Sequence, residues 1–85
     1  MRIYMQTPVT DDRSPRFYQL CLQRDLLEGW TLVREWGYQG SAGRVVKEHF
    51  SSWEEAESAL MRWRDEQIGR GYRIVFLRGQ ESSGH

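Results

Sequence analysis

Only one stretch of this chain carries a helical period. Trp53, Ala56, Ala59, Leu60, Trp63 and the Gln67–Ile68 pair recur at i, i+3, i+7 spacing, which predicts one buried helix face. Ser51 or Ser52 can cap its start, and each has a glutamate three residues later (Glu54, Glu55), the capping-box arrangement. Glu54, Glu55 and Glu57 sit where the helix dipole favours negative charge, and Gly69 is the predicted stop. A lone amphipathic helix must find its partner surface in the rest of the chain. An antiparallel sheet is the ordinary solution.

The remaining segments alternate as strands do. Arg2–Gln6 predicts a short strand. Thr7 to Pro15 is loop, broken by Pro8, Asp11, Asp12, Ser14 and Pro15. In Arg16–Leu22, Phe17, Gln19 and Cys21 face one way and Tyr18, Leu20 and Leu22 the other. Arg24–Gly29 reads as a hairpin connection. In Trp30–Trp36 that follows, Trp30, Leu32, Arg34 and Trp36 share a face opposite Thr31, Val33 and Glu35. Gly37, Gly40 and Gly43 predict a glycine-rich turn into a further strand, Arg44–Phe50. Tyr72–Leu77 is the last strand. The expected fold class is α+β: an antiparallel sheet of four to five strands with one long helix on one face, inserted before the last strand. Residues 1–78 form one domain, and 79–85 a flexible polar tail.

A chain of 85 residues has room for one domain, and one this short buries only about 60% of the surface its unfolded chain exposes. Four Trp, four Tyr and three Phe supply the area a small core needs, so packing is the first explanation for any ring. Twelve Lys and Arg balance twelve Asp and Glu, which excludes a strongly basic or acidic chain overall. The longest apolar runs, such as Ile74–Leu77, are far too short to span a membrane, and no secretory signal opens the sequence. One cysteine, Cys21, can neither staple the chain nor build a zinc site. A cytoplasmic protein without membrane contact is expected.

The residues that carry catalysis elsewhere lack their companions here. His49 has no ligand partner at a metal-site spacing, and His85 ends the tail. Cys21 sits in a strand as a small hydrophobe, with no base beside it. Gly40-Ser41-Ala42-Gly43-Arg44-Val45 resembles a phosphate loop superficially, but it leads into a strand and lacks the lysine a Walker loop requires. A kinase glycine loop does join strands, yet kinases need far more chain. No enzyme, metal or cofactor is expected.

Several pieces together are more specific. They are Arg16-Phe17-Tyr18-Gln19-Leu20, Gly29 through Gly37, Gly40 and Gly43, Phe50-Ser51-Ser52-Trp53-Glu54-Glu55-Ala56, and Gly69-Arg70-Gly71-Tyr72. In this order and spacing they resemble the WGR domain over residues 2 to 77, and the Met1–Gln6 opening looks like small stand-alone bacterial members. The resemblance implies a non-catalytic module. In poly(ADP-ribose) polymerases such domains bind broken DNA ends and relay that binding to a catalytic domain. The family tryptophan packs there on the sugar of a terminal nucleotide, a role Trp36 inherits by position. The family arginine contributes to DNA and interdomain contacts, but this chain has Tyr38, which supplies neither the charge nor the forked donors of a guanidinium. Gln67 stands where the family often has a lysine. Without a polymerase domain, ADP-ribosylation is not implied.

Charge is segregated although it sums to zero. Arg62, Arg64, Arg70, Arg73 and Arg78 stand against Asp65 and Glu66, while Glu54, Glu55 and Glu57 make the helix start acidic. This pattern yields either a local basic patch or a solvated mixed surface. Trp36 likewise has two readings: alternation makes it core, whereas its place beside a glycine turn leaves the ring uncovered. The expected nucleic-acid-binding residues are Trp36, Gly37, Tyr38, Arg34, Arg44 and Lys47. Trp36 would stack, Arg44 and Lys47 would meet phosphates, and Gly37 would let the backbone approach closely. The expected partner is DNA, at an end. The alternative is a protein partner with no nucleic-acid contact. A monomer is expected.

Overall fold

A computed structural model describes residues 1–10 and 14–79 of the chain. Five strands, β1 (Arg2–Gln6), β2 (Arg16–Arg24), β3 (Trp30–Tyr38), β4 (Arg44–Phe50) and β5 (Arg73–Arg78), form one sheet in the order β4-β3-β2-β1-β5. All neighbours are antiparallel. The single helix, α1 (Trp53–Gly69), lies between β4 and β5 in the chain, so the α+β expectation holds in its details. β2 and β3 run longer than the alternation predicts, and the last strand begins at Arg73 rather than Tyr72. The expected tail beyond Gly79, and Asp11 to Arg13 of the expected loop, lie outside the described residues.

The core is where the two apolar periods meet. Ile3 and Met5 of β1, Tyr18, Leu20 and Leu22 of β2 and Leu32 of β3 are buried against Ala56, Ala59 and Leu60 of α1. These strand residues are the members of each alternation that share one face, as cross-strand register requires. Trp30 and Trp53 close one end of this layer edge-to-face, with centroids 4.8 Å apart. Among the described residues, the opposite face of the sheet carries no helix.

Four local devices fix the connections. Asp25 organises the β2–β3 turn: its Oδ1 accepts the amides of Leu27 and Gly29, both at 3.0 Å, and its Oδ2 accepts the Thr31 hydroxyl at 2.8 Å. At the β3–β4 turn, Gly37 and Gly43 let two strands and the Phe17 ring come together. A Cβ on Gly43 would lie 2.6 Å from the Trp36 carbonyl oxygen. Ser52 caps α1, its hydroxyl accepting the Glu55 amide at 3.1 Å. The far end is not stopped by Gly69, which is the last helical residue. Gly71 takes the left-handed conformation (φ 104°), and the amides of Gly71 and Tyr72 bond back to the carbonyls of Ile68 and Gln67, both at 3.0 Å. This is a Schellman closure. It delivers Tyr72 to the sheet as a buried residue beside buried Gln67.

Candidate functional site

At one end of the helix-covered face, alternation lines up Tyr18, Trp36 and Arg44 on three adjacent strands. The rings of Tyr18 and Trp36 stack with centroids 5.5 Å apart and planes inclined by 11°. Tyr72, set by the helix closure, meets Tyr18 edge-on at 5.8 Å. Arg34 lies two residues behind Trp36 on the same face. Its guanidinium carbon sits 3.9 Å from the centroid of the Trp63 ring and 5.4 Å from that of Trp36, and Nη1 donates to the Tyr18 hydroxyl at 3.2 Å.

These groups wall a cleft of about 280 Å³ between sheet and helix, lined by Arg16, Tyr18, Arg34, Trp36, Trp63, Gln67, Arg70 and Tyr72. Among the described residues, three arginines and four aromatic rings line it and no carboxylate does. The arginines are not equivalent. Arg34 is held between indoles with its Nε buried and unpartnered, so it builds the wall. Arg70 shares its charge with Glu66 at 3.0 Å in an exposed pair, a weak tie that an anion can displace. Arg16 is exposed, with its guanidinium 5.7 Å from the centroid of the Tyr72 ring. The cleft is thus an electropositive slot with flat apolar sides.

The residues expected from the sequence divide between the two faces. Trp36, Arg34, Tyr38 and Arg44 share the cleft side, Tyr38 standing opposite Arg16 and 51% exposed. Lys47 does not. It is three residues from Arg44, so the strand alternation sends it to the helix-free face opposite Val33. Gly37 faces that way as well, and the space above it is filled by the Gly43 Cα and the Phe17 ring, 3.0 and 3.5 Å from where its Cβ would be. Its missing side chain admits the chain's own backbone. Trp36 is neither core nor bare: it is half-buried, stacked on one face and packed against the core cluster.

Sequence reasoning missed Arg16, Tyr18, Trp63, Gln67, Arg70 and Tyr72 as parts of one cleft. Trp63 and Gln67 are legible as helix-face positions, and Tyr72 follows the Gly69-Arg70-Gly71 sequence. Nothing local ties them to Trp36, because the ties are cross-strand and helix-to-sheet.

A second polar cluster lies at the other end of the molecule. His49 of β4, without a partner at metal spacing, instead donates through Nδ1 to Asp25 Oδ2 at 2.7 Å. Partial burial works against the Asp25 charge. Hydrogen bonds from His49, Thr31, Gly29 and Leu27 outweigh it and hold the carboxyl at about 2, below its ordinary 3.8. Among the described residues no group of three or more His, Cys, Asp or Glu is placed to hold a metal ion. No helix among them is long and apolar enough to cross a membrane.

No curated protein matches the sequence. Residues 1–76, which hold the first four strands, the helix, the start of the last strand and the cleft around Trp36, match the family model of the WGR domain, and the chain belongs to that family.

Proposed function

We infer that this chain is a non-catalytic nucleic-acid-binding module that takes the end of a DNA duplex, with the Trp36 cleft receiving the terminal nucleotide. WGR domains are known as nucleic-acid-binding modules in poly(ADP-ribose) polymerase-like proteins and have no catalytic role by themselves. The observation that carries the finer reading is the lining of the cleft: cations and flat rings converge there with no carboxylate among them. A phosphate needs the first, and a sugar or base needs the second.

The size of the cleft, about 280 Å³, is small for a ligand pocket, so it admits a terminal sugar with its phosphate rather than the body of a duplex. The half-buried Trp36 indole, braced by Tyr18 and Arg34, is the ring that meets that sugar. Arg16, Arg44 and Tyr38, all exposed on the same face, flank the entrance where the next phosphates run. Arg16 supplies from β2 a guanidinium opposite Tyr38, the position at which the family arginine is missing. Arg34 acts as a positioning residue by bracing Trp36 against Trp63.

Fluorescence titration with a short 5′-phosphorylated duplex at low and moderate salt tests this reading. Trp36→Ala should weaken binding about tenfold or more, the worth of one lost stacking contact, while circular dichroism confirms the fold. Arg16→Ala leaves the stacked rings intact and should weaken binding without touching the core. Duplex binding unchanged in both variants would reject the cleft as the interface. Absence of duplex binding even at low salt, where phosphate contacts are strongest, would favour the protein-partner alternative.

A further inference from the structure

The helix-free face of the sheet is the largest surface that the duplex reading leaves unused. Cross-strand register places Arg78, Arg2, Cys21, Val33 and Lys47 in one row across all five strands, with cations at both ends. The neighbouring row begins with Phe76 opposite Tyr4, and Phe17 lies diagonally beyond Tyr4 on β2. Tyr4 and Phe17 stack with centroids 6.1 Å apart and planes within 11°. Phe76 is 46% exposed although it is among the largest apolar side chains of the chain. Arg73, opposite Gln6, adds a further cation to this face, where the carboxylates among the described residues are Glu35 and, at the β2–β3 turn, Asp25 bonded to Thr31 and His49.

The geometry points to a second binding surface, for single-stranded nucleic acid, on which Phe76, Tyr4 and Phe17 stack successive bases while Arg2, Arg78 and Lys47 meet the phosphates. It goes beyond the duplex-end reading and uses none of the cleft residues. Three features choose this ligand. Aromatic rings on adjacent strands of an open sheet match the spacing at which unpaired bases are splayed and stacked. A duplex hides its base faces everywhere but at its ends, and a flat sheet face cannot enter its grooves. The surplus of arginine and lysine over Glu35 and Asp25, with polar Gln19 and Gln23 on the same face, suits a polyanion better than an apolar protein surface.

The platform is also held in place before any ligand arrives. The Gln39 amide donates to the Tyr4 hydroxyl and, at 3.1 Å, to Gln6 Oε1, which fixes the middle ring. Phe17 rests in the window left by Gly37 and Gly43, its ring carbons 3.0 to 3.5 Å from the positions their Cβ atoms would take. Ordering these rings is therefore part of folding, and binding does not have to bear that cost.

The test is fluorescence anisotropy of the full chain with labelled oligothymidylate, oligouridylate and the phosphorylated duplex, each at low salt. Phe76→Ala removes an exposed ring and should weaken binding of both single strands about tenfold, leaving duplex binding unchanged. Lys47→Ala, at the other end of the row, should weaken single-strand binding and flatten its salt dependence by about one unit of slope. Trp36→Ala should spare the single strands. A preference for either sugar is compatible with the proposal, since stacking reads both. Failure of the chain to bind either single strand would overturn it. So would single-strand affinity that follows Trp36 and ignores Phe76 and Lys47. Neither result would bear on duplex binding at the cleft.

Discussion

Glycines at the β3–β4 turn separate two physical reasons for lacking a side chain. Gly43 is short of space: a methyl there meets the Trp36 carbonyl oxygen at 2.6 Å and Phe17 Cζ at 3.0 Å, and a backbone oxygen within a ladder cannot retreat. Gly40 is short of angle: its φ is 85°, yet nothing lies within 4 Å of an added Cβ. Gly43→Ala should therefore cost about 1–3 kcal/mol through overpacking. Gly40→Ala should cost about 1 kcal/mol through backbone strain alone. Urea denaturation checks both, as a lower midpoint at unchanged slope. The Gly43 variant should in addition disturb Trp36, and the Gly40 variant should not. At this scale the sequence says that the turn needs glycine. It does not say which one guards the indole, because the obstructing atoms belong to Trp36 and to a ring on another strand.

Between elements, Asp25 does the most to join pieces that the sequence keeps apart. It closes the β2–β3 turn through Leu27 and Gly29, and it reaches His49 on β4, 24 positions away. Its carboxyl is held at about 2 in the fold against an ordinary 3.8, so the folded state favours the ionised form. The stability this provides is fully present above pH about 4 and is lost as the pH falls towards 2. Unfolding of the chain and of Asp25→Asn, followed over that range, should show a constant gap above pH about 4 that closes on acidification. A gap that widened in acid would contradict this assignment.

The elements themselves were largely legible. The helix period, the Ser52 cap and the alternation in β2 and β3 each announce which side chains go inward, because local spacing and burial obey one geometry. What could not be read locally was the sheet order, which places β5 beside β1, and the sidedness of β4. Every β4 residue but Phe50 is exposed, so no apolar stripe betrays which way Lys47 points. The helix stop was read two residues early because Gly69 and Gly71 are equivalent until the carbonyls of Gln67 and Ile68 choose between them.

For the molecule as a whole, zero net charge conceals a division by surface. Among the described residues the cleft is lined by arginines without carboxylates, the helix start carries glutamates, and the open face carries Arg2, Lys47, Arg73 and Arg78 against Glu35 and Asp25. Affinity for a polyanion then depends on orientation, and titrating salt measures how many contacts each orientation makes. Arg44→Ala should weaken duplex binding regardless of sequence and reduce the slope of log affinity against log salt by about one. Filter binding across a salt series reads that slope. An unchanged slope would place Arg44 outside the phosphate path.

The helix closure at Gly71 has a mechanical consequence. Tyr72 belongs to the cleft on one side of the sheet and Phe76 to the platform on the other, and only four positions of a single run of backbone separate them. Val75 sits at the irregularity in the β1–β5 register, and this extra residue is what turns Tyr72 and Phe76, an even number of positions apart, to opposite faces. Both rings are tethered to the helix end through the left-handed Gly71. Ligands seated on opposite sides would thus be borne by one short length of backbone without sharing a residue, so each could leave while the other stays.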